Sequence, residues 1–297
     1  MKFGGRMEEL LCPKCRHQLT FTQDAYFCEN CQSHFEIRDG IPILLPDIQS
    51  VATLADIAAW DDKDSGRSEH APPWRALLSK EAWIQEFLDH MDRVSFDGTV
   101  LEIGGGICWA SIIIKLSYPL SRVTATDVSA SALVQAKEVA EMCNVQVDRY
   151  LAVDIQSSPF PDDYFDIVFG CAVLHHIPNL PKALTEIRRI LKPGGIYFGI
   201  SETTVSKLLQ LIRRIMNIQI GEEVGKYEIQ EASYTLSKWR NLFKTAGFDE
   251  LNIYPCRSSR YWYHTRMLQL YSLITDLMPG VTRTQLGCKI HIVAKKA

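Results

Sequence analysis

The sequence predicts an α/β fold with a largely parallel, doubly wound sheet. Three observations carry that expectation. Short apolar runs alternate with amphipathic helical stretches between about residues 98 and 202. Three of those runs end in an acid, at Glu102, Asp127 and Asp154. The first runs straight into the glycine loop Gly104-Gly105-Gly106. In a doubly wound sheet the ligand sits outside the carboxyl ends of the strands, so the loop and the acids collect there. Glycines let backbone approach a ligand and a carboxylate grips a ribose, which is the layout of a nucleoside pocket.

The elements follow in order. Val100-Leu101-Glu102-Ile103 is the first strand, and the helix after the loop carries Trp109, Ile112, Ile113 and Leu116. Val123 to Asp127 is the second strand, and Ser129 caps a helix running to about Met142. A third strand lies within Val145 to Val153, just before Asp154, and Phe165 to Cys171 forms a fourth. Pro181 opens a helix with apolar Leu184, Ile187, Ile190 and Leu191, which Lys192-Pro193-Gly194-Gly195 stops. Ile196 to Ile200 is a fifth strand. A helix through Trp239 ends at Gly247, and the alternating run Cys288 to Val293 reads as a last edge or hairpin strand. Upstream, a helix is expected from about Trp74 to Asp92.

The N-terminal part has a different pattern. Cys12-Pro13-Lys14-Cys15 and Cys28-Glu29-Asn30-Cys31 are C-x-x-C pairs with twelve residues between them. Each suits a tight knuckle, and two knuckles give a tetrahedral sulfur site fit for Zn²⁺. A disulfide pair is the alternative. His34 stands close enough to replace one thiolate, but four sulfurs already close the shell. A closed shell implies a metal that holds structure and does no chemistry. Phe35 to Leu45 reads as two short strands around an Asp39-Gly40 turn.

Composition narrows the function. The chain has 297 residues, 46% hydrophobic and 23% charged, with a net charge of −3. These totals suit one or two globular domains and argue against a strongly basic nucleic-acid binder. No apolar run approaches the roughly 18–20 residues needed to span a bilayer. Met1 to Leu10 lack the apolar core of a secretory signal. With nine cysteines, an odd number, the chain is expected in a reducing cytoplasm.

Two resemblances extend this reading. The knuckles, with Ile37-Arg38-Asp39-Gly40-Ile41-Pro42-Ile43-Leu44-Leu45, resemble the small zinc-ribbon family that activates tRNA and protein methyltransferases. That resemblance covers residues 1–46 and implies a module that braces or extends a methyltransferase. The order Leu-Glu-Ile-Gly-Gly-Gly, Thr-Asp-Val-Ser, Asp-Ile-Gln-Ser-Ser-Pro-Phe-Pro-Asp-Asp-Tyr-Phe-Asp-Ile-Val, Leu-His-His-Ile and Leu-Lys-Pro-Gly-Gly resembles the class I S-adenosylmethionine methyltransferases. It is most similar to the branch typified by ubiquinone C-methylation enzymes. This implies a Rossmann-like, seven-stranded sheet over residues 76–297, with 47–75 as a linker or a lid walled by Trp60 and Trp74. It also implies that Glu102 lies near the methionine amino group, and that Gly104 and Gly106 let the backbone pass close to methionine and ribose. Asp127 would accept from the ribose hydroxyls and Asp154 from the adenine amine. Val128 and Ile155 would lie against the ring, with Cys171 beside the cofactor. The family's third glycine would fall at Cys108, read here as a packed variant and not a nucleophile.

His175 and His176 follow the fourth strand and are candidate general bases, or residues that shape the loop. Acceptor choice is expected from insertions at about 203–233 and 256–284. The first places Val205, Leu208, Leu209, Ile212, Ile215 and Met216 on one helical face, as a cap, a membrane-surface helix or a partner-binding helix. The second interleaves Arg257, Arg260, Tyr261, Trp262, Tyr263, His264 and Arg266, suiting an anionic or stacked ligand, or an ordinary amphipathic helix. The expected function is methylation of a small-molecule or lipid-like acceptor at O, N or C. RNA base methylation with the ribbon docking RNA, and a non-catalytic cofactor-binding partner subunit, are the alternatives.

Overall fold

A computed structural model describes residues 10–22, 24–47, 50–61, 72–206, 208, 211, 223–224, 229–230, 233–261 and 266–297. Strands β5 (Thr99–Ile103), β6 (Arg122–Asp127), β7 (Arg149–Val153), β8 (Phe165–Cys171) and β9 (Leu191–Thr203) pair in parallel. Helices α4 (Trp109–Ser117), α5 (Ala130–Met142) and α6 (Leu180–Ile190) make the crossovers between them. The remaining strands of the sheet's far end are β12 (Glu250–Pro255) and β13 (Lys289–Lys295), both antiparallel to their neighbours.

The N-terminal module does not stand apart. Strands β1 (Thr20–Phe21), β2 (Ala25–Cys28), β3 (Ser33–Arg38) and β4 (Ile41–Leu44) form an antiparallel meander. Asp39 and Gly40 both have positive φ, the twist that a two-residue hairpin turn requires. β4 then pairs in parallel with β7, Ile43 opposite Ala152 and Leu44 opposite Val153. The sheet therefore has 11 strands in the order β1-β2-β3-β4-β7-β6-β5-β8-β9-β13-β12. The expected seven strands correspond to the stretch from β7 to β12, and the other four come from the module. A second expectation is also corrected: β13 lies inside the sheet, between β9 and β12, and β12 takes the edge. β10 (Glu223–Val224) and β11 (Ile229–Gln230) pair with each other outside the main sheet.

Helices cover both faces. On one, α6 buries Leu180, Ala183, Leu184, Ile187 and Ile190, the spacing of a single helical face. Asn179 caps it by accepting from the Lys182 N–H. Helix α7 (Leu236–Thr245) adds Trp239, Leu242 and Phe243 to the same core. Leu10, Leu19 and Phe35 of the module join that core, so module and sheet share buried apolar surface. On the other face, Phe87, Phe96, Phe169 and Phe198 meet mostly edge to face under α4 and α5.

The upstream helix is interrupted. Helices α2 (Pro73–Leu78) and α3 (Glu81–Leu88) are separated by a turn at Ser79-Lys80. Residues 51–61 form helix α1, so part of the expected linker is ordered. Trp74 is exposed. After β12, a 3₁₀ turn at Ser258–Arg260 precedes α8 (Arg266–Asp276) and α9 (Gly280–Leu286). Arg260 is tied to Glu86 at 2.6 Å and Asp89 at 2.7 Å, and Tyr261 is buried. These two residues of the second insertion therefore serve packing. Trp262, Tyr263 and His264 lie outside the described residues. So do Leu209, Ile212, Ile215 and Met216 of the apolar face, whereas Val205 packs on Leu268 and Cys288. No helix among the described residues is long and apolar enough to cross a membrane.

Candidate functional site

The loop after β5 turns on two positive-φ glycines, Gly104 and Gly106, both at φ 55°. Neither tolerates a side chain. A Cβ on Gly104 would run into Val173, and one on Gly106 would lie 2.9 Å from the Trp60 ring. Cys108 is also left-handed at φ 50°, at the N-cap of α4. The residue departs from glycine while its backbone keeps a glycine-like conformation. Burial pushes its thiol well above the usual range, and the nearby Glu102 and Asp127 charges add to that. A neutral, buried thiol is a poor nucleophile, which supports the packing role.

The acids at the strand ends are fixed by backbone donors. Asp127 accepts from the Gly106 N–H at 2.8 Å and from the Ser129 N–H at 2.9 Å. It therefore ties the glycine loop to the start of α5. Asp154 accepts from the Gln156 N–H at 2.8 Å. Glu102 accepts from the Ser111 N–H at 2.9 Å and from the Ser111 hydroxyl. Burial still dominates and pushes the Glu102 carboxyl up to about 7, despite the lowering effect of the Ser111 bonds.

A cavity of about 390 Å³ opens at these strand ends. That size falls within the roughly 300–1,000 Å³ range of small-molecule sites. Glu102, Gly104, Gly106, Asp127, Val128, Asp154, Ile155, Cys171 and His176 all line it. Trp60 lines it too; Trp74 does not. Sequence reasoning missed Thr53, Lys80, Trp83, Trp109 and Gln156, which also face it. Trp109 was legible only as a helix residue, and Lys80 and Trp83 come from the α2–α3 turn and α3, which carry no motif.

His175 is absent from the cavity wall, whereas His176 lines it. His175 is buried, and its Nδ1 lies 2.8 Å from Glu202 Oε2. The same carboxylate accepts from the N–H groups of Val173 at 3.1 Å, Leu174 at 3.1 Å and His175 at 3.3 Å. Successive backbone donors converging on one anion form a nest, entered here through Ala172 at φ 51°. Glu202 reaches the nest because β9 bulges. Ile290 pairs with Glu202 but Ile292 with Gly199, so β9 carries one extra residue, and Ser201 sits at φ 59°. Bulges of this kind re-aim a side chain beside a site. His175 is thus a positioning residue for the loop that presents His176.

The four module cysteines converge separately. Sγ of Cys12 lies 3.5 Å from that of Cys31, and Sγ of Cys15 lies 3.4 Å from that of Cys28. All four ligand atoms lie within 4.8 Å of one another, and none is in a disulfide.

Known proteins match this architecture. The family described as "Methyltransferase domain" matches residues 101–199. Lovastatin diketide synthase lovF of Aspergillus terreus is 29% identical over 204 residues, 65% of this chain and 8% of that protein. Ubiquinone/menaquinone biosynthesis C-methyltransferase UbiE of Rickettsia bellii is 26% identical over 193 residues, 57% of this chain and 75% of that protein. Sterol 24-C-methyltransferase ERG6B of Gibberella zeae is 27% identical over 175 residues, 57% of this chain and 44% of that protein. The chain spans only 7–8% of the length of the diketide synthases it matches. Among solved structures, Haemonchus contortus phosphoethanolamine N-methyltransferase 2 with S-adenosyl-L-methionine aligns at TM-score 0.52 and 16% identity, over 86% of this chain and 61% of that one. A chain from a complex with the Haloferax volcanii Trm112 methyltransferase activator aligns at TM-score 0.52 and 17% identity, over 74% of this chain and 94% of that one. These two likenesses show the fold. The matched segment runs from β5 to β9 with the crevice opening at the carboxyl ends of those strands, so residues 101–199 are similar to a methyltransferase domain and the chain has the Rossmann-like fold of S-adenosylmethionine-dependent methyltransferases.

Proposed function

We propose that the protein methylates a small-molecule or lipid-like acceptor in the cavity beyond Gly104 and Gly106. One observation carries the choice of acceptor. Three carboxylates and three tryptophans line the cavity, and Lys80 is the single lysine or arginine among its described lining residues. A nucleic acid would need several cations along its path. A small acceptor needs only apolar walls and a few placed polar groups.

The residues fit the cofactor. Two glycines leave main chain bare where a Cβ would collide, and three buried acids face the same space. When bound, S-adenosylmethionine supplies an electrophilic methyl group. The protein's task is to align the acceptor with it and exclude water, and orientation alone is worth several kcal/mol. Asp127 would hold the ribose hydroxyls and Asp154 the adenine amine, with Val128 and Ile155 against the ring. Cys171 would lie beside the cofactor, and Glu102 would lie near the methionine amino group. His176 is the remaining candidate base for an acceptor that must lose a proton. The cysteine cluster fits structural zinc, because Zn–S bonds of about 2.3 Å place neighbouring sulfurs roughly 3.8 Å apart.

Calorimetry with S-adenosylhomocysteine tests the cofactor half. Asp127→Asn is expected to weaken binding about tenfold, the scale of one charged hydrogen bond, with a lowered melting temperature because its amide keeps an acceptor for only one of the Gly106 and Ser129 N–H groups. Asp127→Ala is expected to lose about a hundredfold, because the Gly106 and Ser129 N–H groups lose their acceptor as well. Wild-type affinity in both variants would contradict the assignment. Glu102 adds a pH dependence. Its free carboxyl is pushed up to about 7, and a bound ammonium favours the carboxylate. Affinity should therefore rise with pH up to about 7 and then level off, with proton release below that point. Glu102→Gln should remove the rise; a pH profile identical to wild type would sink this role.

A further inference from the structure

Helix α8 is amphipathic the wrong way round. Its buried side consists of Leu268, Ser272 and Thr275. Both hydroxyls are satisfied within the helix: Ser272 donates to the Gln269 carbonyl at 2.8 Å and Thr275 to the Ser272 carbonyl at 3.0 Å. The opposite side carries Leu270, Leu273, Ile274 and Leu277, all exposed. Their spacing of three and four residues makes one continuous apolar stripe. Leu277 is 88% exposed, and Val281 on α9 is 76% exposed. A helix that serves only a core turns such a face inward, so a stripe turned outward marks a surface that meets something apolar.

The charges around the stripe select the occupant. Residues 256–289 hold five lysines and arginines against a single acid, in a chain of net charge −3. That acid, Asp276, is turned back into the fold, where it accepts from the Ser258 N–H at 3.1 Å and the Ser259 N–H at 2.7 Å. Arg266 is exposed at the start of α8, four and seven residues before Leu270 and Leu273 and so on their side of the helix. An apolar face in a basic segment, with the one acid withdrawn, is the pattern of a helix lying in the headgroup region of an anionic bilayer. Side chains that protrude as Leu277 and Val281 do enter fluid lipid without a matching hollow, which a protein partner would have to supply. The surface is also braced on the cavity. Asp276 holds the 3₁₀ turn at Ser258–Arg260, and Arg260 binds Glu86 on α3, the helix that carries Trp83 into the cavity wall.

We propose that the outer face of α8, with Val281 of α9, docks the protein on the surface of an anionic phospholipid bilayer. Adsorption needs neither cofactor nor acceptor, so this goes beyond the methyltransferase reading and is tested separately from it.

The full chain would be floated with vesicles of phosphatidylcholine alone and with vesicles that also contain phosphatidylglycerol. It should bind the mixed vesicles, and the neutral ones about tenfold more weakly. Leu273→Glu with Leu277→Glu should weaken binding to the mixed vesicles about a hundredfold, because two side chains no longer enter the lipid. Leu273→Phe with Leu277→Phe should retain it. Melting temperature and affinity for S-adenosylhomocysteine should match wild type in both variants, since the exchanged side chains are exposed. Failure of wild type to float, equal binding to both kinds of vesicle, or wild-type flotation of the glutamate variant overturns the proposal. So does a wild-type dimer in light scattering that the glutamate variant dissolves, because a second copy would then be the occupant. If the protein ignores vesicles but binds S-adenosylhomocysteine, the methyltransferase reading stands without the docking surface.

Discussion

Replacing Glu202 with alanine is expected to cost about 3–5 kcal/mol of folding stability, the range for removing one partner of a buried polar network. The carboxylate is fully buried and accepts from three consecutive backbone N–H groups and lies 2.8 Å from His175 Nδ1. Each buried donor left without an acceptor costs about 1–3 kcal/mol, so the loss accumulates along the loop. Glu202→Gln keeps the shape and one acceptor oxygen, and should lose roughly half as much. Denaturant unfolding reads both values. The loop also carries Val173 and His176 into the cavity, so turnover should fall further than the folded fraction does. A Glu202→Ala protein as stable as wild type would show that water or another group replaces the carboxylate.

The second large effect expected follows from the proposed zinc site: removing its metal should destabilise the module. In zinc-finger peptides the apparent binding free energy is about 10–16 kcal/mol, and in such small modules it is folding free energy. Here the module also holds strand β4 against β7 and shares a core with α6. Chelation, or Cys28→Ser, should lower zinc content and melting temperature together. Amide exchange should accelerate along β7, and because β7 leads directly into Asp154, cofactor affinity should weaken too. Normal metal content in Cys28→Ser, or a chelated protein with wild-type exchange along β7, would count against structural zinc.

Much of the parallel core was legible because its signals are local. An apolar run, an acid at its end and a capped helix recur within a few dozen residues, and each is dictated by one strand–helix unit. The Asp39-Gly40 turn was legible for the same reason. What escaped depends on partners distant in the chain. Nothing near Glu202 announces that a bulge turns it toward residues 173–175. Lys80 and Trp83 join the cavity only because the α2–α3 turn and α3 fold to the same space as Cys171 at the end of β8. His175 and His176 look equivalent in sequence, yet the 3₁₀ turn at Leu174–His176 sends one inward and the other to the cavity. The pairing of β4 with β7 joins segments about a hundred residues apart, and no periodicity records such a contact. The alternation of β13 suits an edge or hairpin strand because it reports two different faces, not its neighbours. The split between α2 and α3 followed from no Gly or Pro signal.

The β4–β7 pairing has a consequence for solubility. A strand that terminates a sheet offers unpaired N–H and C=O groups to any passing chain. Capping β7 transfers that exposed rim to β1, only two residues long and too short to recruit a neighbour. A shortened protein starting after the module would bare β7 at Ala152 and Val153, leaving the whole strand as an edge, and should self-associate through it.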